Sequence, residues 1–387
     1  MKRYLVFVLC FFSIFYSQGQ KNNYNPHIGI KEKAEFPHAF INCKIHQSQK
    51  LVIEDGILII KGNRIVAVGK DISVPKNAII HDLNGKYIYP SFVELYSDLN
   101  ILKEVKKNKS NSPQYKTSKD GPYYWNEAIR PEYNSVENID VNYEKLTPFL
   151  KKGFGLVVSH QKNGIVRGTG SLLILTKNDK QMFLLNKAAN FYSFNKGNSN
   201  QAYPTSLMGS IALLRQFFID AKWYEKNDRH SHPGINFSLE AQIENINYPN
   251  IFILERKLDL FRANKISKES NVNFIYKGSG KEYENLSEIK KINPRLIVPL
   301  NYPKAMDLDN PYDAISVSTS DLSHWKYATT NISSLEKENI AFSITSDKLN
   351  SKDFFKHISQ SIDQGATKSK ILYLSLIHIS EPTRLGM

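Results

Sequence analysis

The chain has 387 residues, a formal net charge of +14 and a hydrophobic fraction of 41%. That length suits two or three domains of about 150 residues, or one barrel of ~250 with a smaller appendage. Its only cysteines are Cys10 and Cys43, which excludes a disulfide framework and a cysteine-rich metal site and leaves core burial as the source of stability.

The first residues, MKRYLVFVLCFFSIFYSQGQ, place Lys2 and Arg3 before an apolar run from Tyr4 to Tyr16, with Ser17 and Gly19 at the −3 and −1 positions of a cleavage site. We read residues 1–19 as a signal peptide and expect a secreted or periplasmic protein; the run is shorter than the ~20 residues that span a bilayer. Cleavage removes Cys10, together with Lys2 and Arg3, so the net charge falls from +14 to +12. Nucleic acid is not the expected partner, because the lysines are scattered among Asn, Ser and Glu and no recognition signature accompanies them. The dense run KEVKKNKS at 103–110 reads as solvated surface.

Residues 20–34 form a polar lead-in, expected to be flexible. From 35 to 90 the pattern is that of a small β segment. AFINCKIH alternates; GILIIKGNRIVAVG is two apolar runs hinged on Gly62 and Asn63, a hairpin signal because both residues tolerate positive φ; AIIHDL and YIYP add strands around Asn84 and Gly85. Residues 100–145 are a polar excursion with an anchor in YYWNEAIRPE.

Beyond it, short apolar runs predict strands: GLVVSH (155–160), SLLILT (171–176), NIFIL (250–254), NFIYKG (273–278), RLIVPL (295–300), AISVS (314–318) and IAFSIT (340–345). Helical patterns lie between them. SLMGSIALLRQFFIDAKWYEK (206–226) carries Leu207, Ile211, Leu214, Phe217 and Phe218 on one side behind an N-cap at Ser206. ERKLDLFRANKISKES (255–270) repeats the pattern with Leu258, Phe261 and Ile266. Buried strands alternating with helices predict an α/β barrel or a doubly wound sheet, and the lack of a Gly-rich phosphate loop favours the barrel. Chemistry in a barrel gathers at strand ends, where side chains of several strands converge. The short list is therefore Tyr96, Asp98, His160, Tyr276, Lys277, Asn301, Tyr302 and Asp347.

The stretch GILIIKGNRIVAVG followed by VPKNAIIHDLNGKYIYPSFVEL resembles the entry to the amidohydrolase superfamily, and its imidazolonepropionase-like branch in particular. There a small β-sandwich segment leads through D-x-x-G-K-x-x-x-P-G to a first barrel strand ending in HxH. Asp82, Gly85, Lys86 and Pro90 match, and Ser91 stands in place of the last glycine. GIVRGTGS, SLMGSIALLRQ, EYENLSEIKK and NIAFSITSDKL resemble later pieces of a secreted subgroup. The resemblance implies a distorted TIM-like (β/α)8 barrel over 91–373, truncated, behind a small N-terminal β-sandwich segment, and hydrolysis of non-peptide C–N bonds.

Carried across, the two first-strand histidines fall on Tyr96 and Asp98, and no histidine ends NFIYKG or RLIVPL. The resemblance retains Asp347 as the catalytic acid of the last strand. A phenol must lose a proton of pKa about 10 before it binds zinc well, and a catalytic zinc takes about three protein ligands. Three readings stay open: a catalytically impaired barrel of a longer secreted protein; an active hydrolase of an amide or cyclic amide, with Tyr96, Asp98, His160 and Asp347 around Zn, Mn or Fe; and a secreted non-enzymatic binding or scaffold domain. His160 also reads as a structural histidine, and the second HxH, His230 and His232 in NDRHSHPG, as a surface loop. Finally, LSLIHISEPTR (374–384) resembles a translated sequencing adapter. We expect residues 374–387 to be non-native and the natural chain to continue past about Tyr373, so that the missing C-terminal part is itself a partner of this one.

Overall fold

The computed structural model describes residues 36–48, 51–62, 64–103, 117–177, 182–226 and 234–374. The expected signal peptide, the His230–His232 pair, most of the 103–110 lysine run and residues 375–387 lie outside the described residues. The chain divides into two compact units, one of residues 36–46 and 52–88, the other of 47–51 and 89 onward.

The smaller unit holds β1 (His38–His46), β2 (Val52–Lys61), β3 (Arg64–Gly69), β4 (Ile79–Asp82) and β5 (Tyr87–Ile88). They form one mixed sheet in the order β3-β2-β1-β4, with β5 also on β1. A sandwich needs two sheets, and the described residues of this unit form a single sheet. The β2–β3 hairpin turns at Gly62 with φ 58. Asn84 and Gly85, with φ of 49 and 78, turn the chain from β4 to β5, the left-handed conformation that Gly and Asn adopt at least cost. Cys43 is a buried core thiol beside Ile45 and Leu58, its Sγ donating to the Gly56 carbonyl at 3.2 Å; burial raises its pKa.

The larger unit is an α/β sheet of eight strands: β6 (Phe92–Ser97), β7 (Phe154–Ser159), β8 (Val166–Ile174), β9 (Phe183–Ser193), β10 (Asn250–Ile253), β11 (Phe274–Lys277), β12 (Arg295–Pro299) and β13 (Phe342–Thr345). Each pairs with its neighbour in chain order. The pairings β6–β7 and β9 through β13 are parallel, whereas β8 runs antiparallel to both β7 and β9. Connection length explains the reversal. Only residues 160–165 separate β7 from β8, and 175–182 separate β8 from β9, too few for the dozen or more that a parallel crossover requires.

These strands form a mixed eight-stranded sheet with helices, and no backbone ladder between β13 and β6 is found among the described residues. Alternation along the strands divides its apolar residues into two clusters. Val93, Leu95, Val158, Phe191, Ile251, Ile253 and Ile297 pack together on one side. On the other, Phe252, Tyr276, Val298 and Ile344 pack with Leu214, Phe217 and Phe218 of the Leu207–Lys226 helix and Ile266 of the Asp259–Ser270 helix.

Local signals account for most elements and for the departures from them. Ser206 caps the Leu207–Lys226 helix through a 3.1 Å bond from the Gly209 N–H. The helix expected from 255 begins at Asp259, because that carboxylate accepts the Glu255 and Arg256 amides and holds them outside the helix. Leu258 is consequently exposed. AISVS does not form a strand. Asn310 caps a Pro311–Ser316 helix that takes in its first residues, and Ile315 is 81% exposed, so apolar content alone misled. The long β9 went unpredicted, since only its latter half is buried. In the excursion, Tyr124, Ala128 and Ile129 are core residues, and the Tyr124 hydroxyl donates to Asp220 at 2.8 Å. No helix among the described residues is long and apolar enough to cross a membrane.

What joins β6 to β13 is a carboxylate. Glu94, 1% exposed, accepts from the Thr345 hydroxyl at 2.5 Å and from both the amide and hydroxyl of Ser346 at 2.8 Å. Removing one side of a buried charge-assisted network leaves several donors unpaired. Glu94→Ala should lower the unfolding free energy by about 3 kcal/mol and Thr345→Val by about 1 kcal/mol, both measured from urea midpoints at unchanged slope.

Candidate functional site

The Glu94 network brings the C-terminal ends of the first and last strands together, and with them the residues that follow. A cavity of about 470 Å³ opens there, lined among others by Glu94, Tyr96, Asp98, Lys152, Lys162 and Asp347. Asp347 accepts at Oδ1 from the Lys162 ammonium at 3.1 Å, and its Oδ2 lies 3.4 Å from the Lys277 ammonium. Lys162 also reaches Asp98 at 3.3 Å. The two ammonium groups sit 4.7 and 4.9 Å from the centre of the Tyr96 ring, where the negative face of the aromatic attracts them.

Strand alternation explains how Lys277 arrives. Ile275 packs against the cluster that contains Tyr96, so Lys277, two residues on, falls on the same side. Tyr276 falls on the other and packs with the helix-side core. Burial pushes the Tyr276 phenol up to about 12, and it takes no part in the site. Asn301 and Tyr302 lie past the end of β12 and line a separate cavity.

The cations respond differently to one carboxylate. Burial works to lower the Lys162 pKa, but Asp347 and Asp98 outweigh it and raise it overall. For Lys277, burial prevails over Asp347 and the pKa falls. A third lysine, Lys152, is almost fully buried and donates to the Ser346 hydroxyl at 3.1 Å; burial lowers its pKa against the pull of Glu94 and Asp347. Burial raises the pKa of Glu94 against the four hydrogen bonds it accepts. Tyr96 is raised by burial too, although Arg167 and Lys162 pull it back, so the phenol keeps its proton at neutral pH.

His160 is sealed beneath this layer. Its ring stacks on Phe191 at 3.6 Å and 5°, and lies 4.9 Å from the Tyr96 ring. Nδ1 is 2.7 Å from the Gln161 carbonyl, whereas Nε2 is buried without a hydrogen-bond partner. Arg167, buried nearby, donates through Nε to the Gly164 carbonyl at 2.9 Å and leaves one terminal nitrogen unsatisfied.

The four expected site residues are therefore neighbours: Tyr96, Asp98 and Asp347 around Lys162, with His160 beneath the Tyr96 ring. The sequence short list contained Lys277 and missed Lys152, Lys162, Arg167 and the Glu94 network. Lys162 offered one signal, its place two residues beyond the strand-end His160. Among the described residues, no three His, Cys, Asp or Glu side chains are grouped to hold a metal ion. The Asp347 oxygens face ammonium groups, the Tyr96 phenol is protonated and His160 offers a single nitrogen. This donor set does not fit a catalytic zinc with about three protein ligands.

The fold has a clear counterpart. An amidohydrolase from Thermotoga maritima MSB8 superposes with a TM-score of 0.66 at 17% identity, covering 87% of this chain and 86% of its own. An ochratoxinase from A. niger aligns at TM-score 0.45 and 11% identity over 88% and 82% of the two chains. A beta-aspartyl dipeptidase from Fervidobacterium islandicum AW-1 aligns at 0.41 and 12% over 88% and 85%. No family model and no curated protein matches the sequence. The chain shares the mixed α/β fold of the Thermotoga maritima amidohydrolase.

Burial, Arg167 and Lys162 hold the His160 pKa well below the ordinary value near 6.5. The unfolded chain therefore binds a proton between that value and the lower folded pKa while the native state does not. Stability is full above about pH 6.5 and falls as pH drops through this window. His160→Phe, which keeps a ring against Phe191, should flatten that part of the acid limb in thermal melts run from pH 7 to 4.

Proposed function

We propose that this protein is an amidohydrolase-fold domain in which lysine ammonium groups supply the positive charge at the strand ends that a divalent metal would otherwise supply. Metal-activated hydrolysis of C–N bonds is then lost or impaired, and the site serves to bind a small polar ligand. One observation carries the reading: Asp347, the single acid that the family resemblance retains, is bracketed by Lys162 and Lys277. A divalent ion entering there meets two like charges and finds its carboxylate engaged, in a site dry enough for both effects to count. Placement in the imidazolonepropionase-like branch, export on the leader and degeneracy of the metal motif belong to the same proposal.

The decisive measurement is metal content with function. Protein purified without chelator should carry no stoichiometric Zn, Mn or Fe, and any turnover of amides or cyclic amides should be indifferent to chelator and to Asp347→Asn. A tightly held metal lost with Asp347→Asn would establish the rival reading. That reading, an Asp98, His160 and Asp347 site with help from Tyr96, draws on the unpartnered Nε2 of His160, a nitrogen free to accept a metal.

Lys162→Met should leave both Asp98 and Asp347 without their shared counter-ion. Removing one partner of a largely buried pair costs about 3 kcal/mol at the dry end of the range. Discounting for the half-exposed Asp98 side chain, we expect about 1–2 kcal/mol in chemical denaturation. Because Lys162 is raised above the ordinary lysine value, this contribution is present through neutral pH and disappears as pH rises through the folded pKa.

A further inference from the structure

Beside the strand-end cavity lies a larger one of about 820 Å³, inside the size range of small-molecule sites. The two share Lys348 and Leu349 in their walls. The second cavity is bounded by the residues after β12, by the Thr319–Tyr327 helix that carries Trp325 and Lys326, and by the Ser351–Asp363 helix that carries Lys356 and His357.

Its electrostatics are one-sided. Lys304, Lys326, Lys348 and Lys356 all line it, and among the described residues none of the four has a carboxylate within ion-pairing distance. The one carboxylate in the lining, Asp353, accepts from the Asn350 side chain at 2.7 Å in a helix cap. Four like charges around one concave space raise the potential inside it, since low-dielectric walls focus the field. Trp325 presents a half-exposed indole on the same wall, a flat apolar surface next to the charges. Lys348 holds φ at 63, a costly backbone conformation for a residue other than glycine or asparagine, at the position where the two cavities meet.

We propose that this cavity is a binding site for a small polyanion, a molecule bearing two or more carboxylate or phosphate groups, whose anionic end is held by Lys304, Lys348 and Lys356 against Trp325. Single surface lysines are ordinarily solvated, and a lone one would carry no such meaning. Four without counter-charges around one volume leave a charge deficit that an anion of matching size fills. The inference goes beyond the metal question, because it holds whether or not Asp347 binds a metal.

The test uses the full chain and two probes, pyrophosphate and citrate, titrated calorimetrically at low salt and followed in parallel by tryptophan emission. At least one should bind with one-to-one stoichiometry, and the emission change should vanish in Trp325→Phe. Lys304→Glu/Lys356→Glu should weaken binding by about tenfold or more, while the control Lys222→Glu/Lys268→Glu, with the same net charge on helices that do not line the cavity, should change it by less than about twofold. Pyrophosphate alone binding identifies phosphate as the ligand chemistry, and citrate alone identifies carboxylate. Failure of both probes, or equal weakening in the two double variants, overturns the proposal. Thermal melts of both variants establish that each is folded, and metal content, measured separately, keeps this outcome distinct from that of the strand-end site.

Discussion

The Glu94 carboxylate, buried and accepting four hydrogen bonds from Tyr96, Thr345 and Ser346, is what sets the first strand of the large sheet against the last. Those strands are separated by some 250 residues of chain, and no backbone ladder between them is described. Ladder bonds follow from local extended structure; this junction follows from one ionisable side chain whose burial is tolerable only because every donor around it is aimed at it. Tyr96 and Asp98 follow Glu94 by two and four residues, and Asp347 follows Thr345 by two. The site exists where it does because the clasp fixes both ends.

Around that clasp the charges form a chain of mutual compensation. Asp98 and Asp347 share Lys162, Asp347 also faces Lys277, and the aromatic face of Tyr96 lies under both cations. Each buried charge would be costly alone, and together they offset much of one another's desolvation. A divalent metal would meet the same requirement with a different donor set, histidines and carboxylates in place of lysines. The C-terminal ends of the first and last strands thus carry a concentration of positive charge supplied by lysines.

The adjoining basic cavity follows a different rule. In the strand-end site Lys152, Lys162 and Lys277 each have an acceptor within reach; in the neighbouring one the lysines are left without a carboxylate within ion-pairing distance. Internally balanced charge rigidifies a site, whereas unbalanced charge on a concave surface attracts a ligand from solution. The wall common to both, at Lys348, is where the backbone departs from ordinary geometry.

The sequence by itself determined much of the local structure. The hairpin at Gly62, the Ser206 cap and the apolar runs of β7, β10, β11, β12 and β13 all follow from turn chemistry and side-chain period, which act over a few residues. It also brought Tyr96, Asp98, His160, Lys277 and Asp347 to notice, because strand ends can be read from apolar runs. It did not reveal the antiparallel insertion of β8, which depends on connection lengths as well as on pattern, and it misread AISVS, where an asparagine cap and exposure outweighed β-branched residues. Only the tertiary structure decided what these strand-end residues do to one another. That Lys162 and Lys277 would converge on Asp347, and that Glu94 would clasp Thr345 and Ser346, are contacts between residues from 70 to over 250 positions apart. No local period encodes them, and their energies arise from burial that the folded chain alone creates.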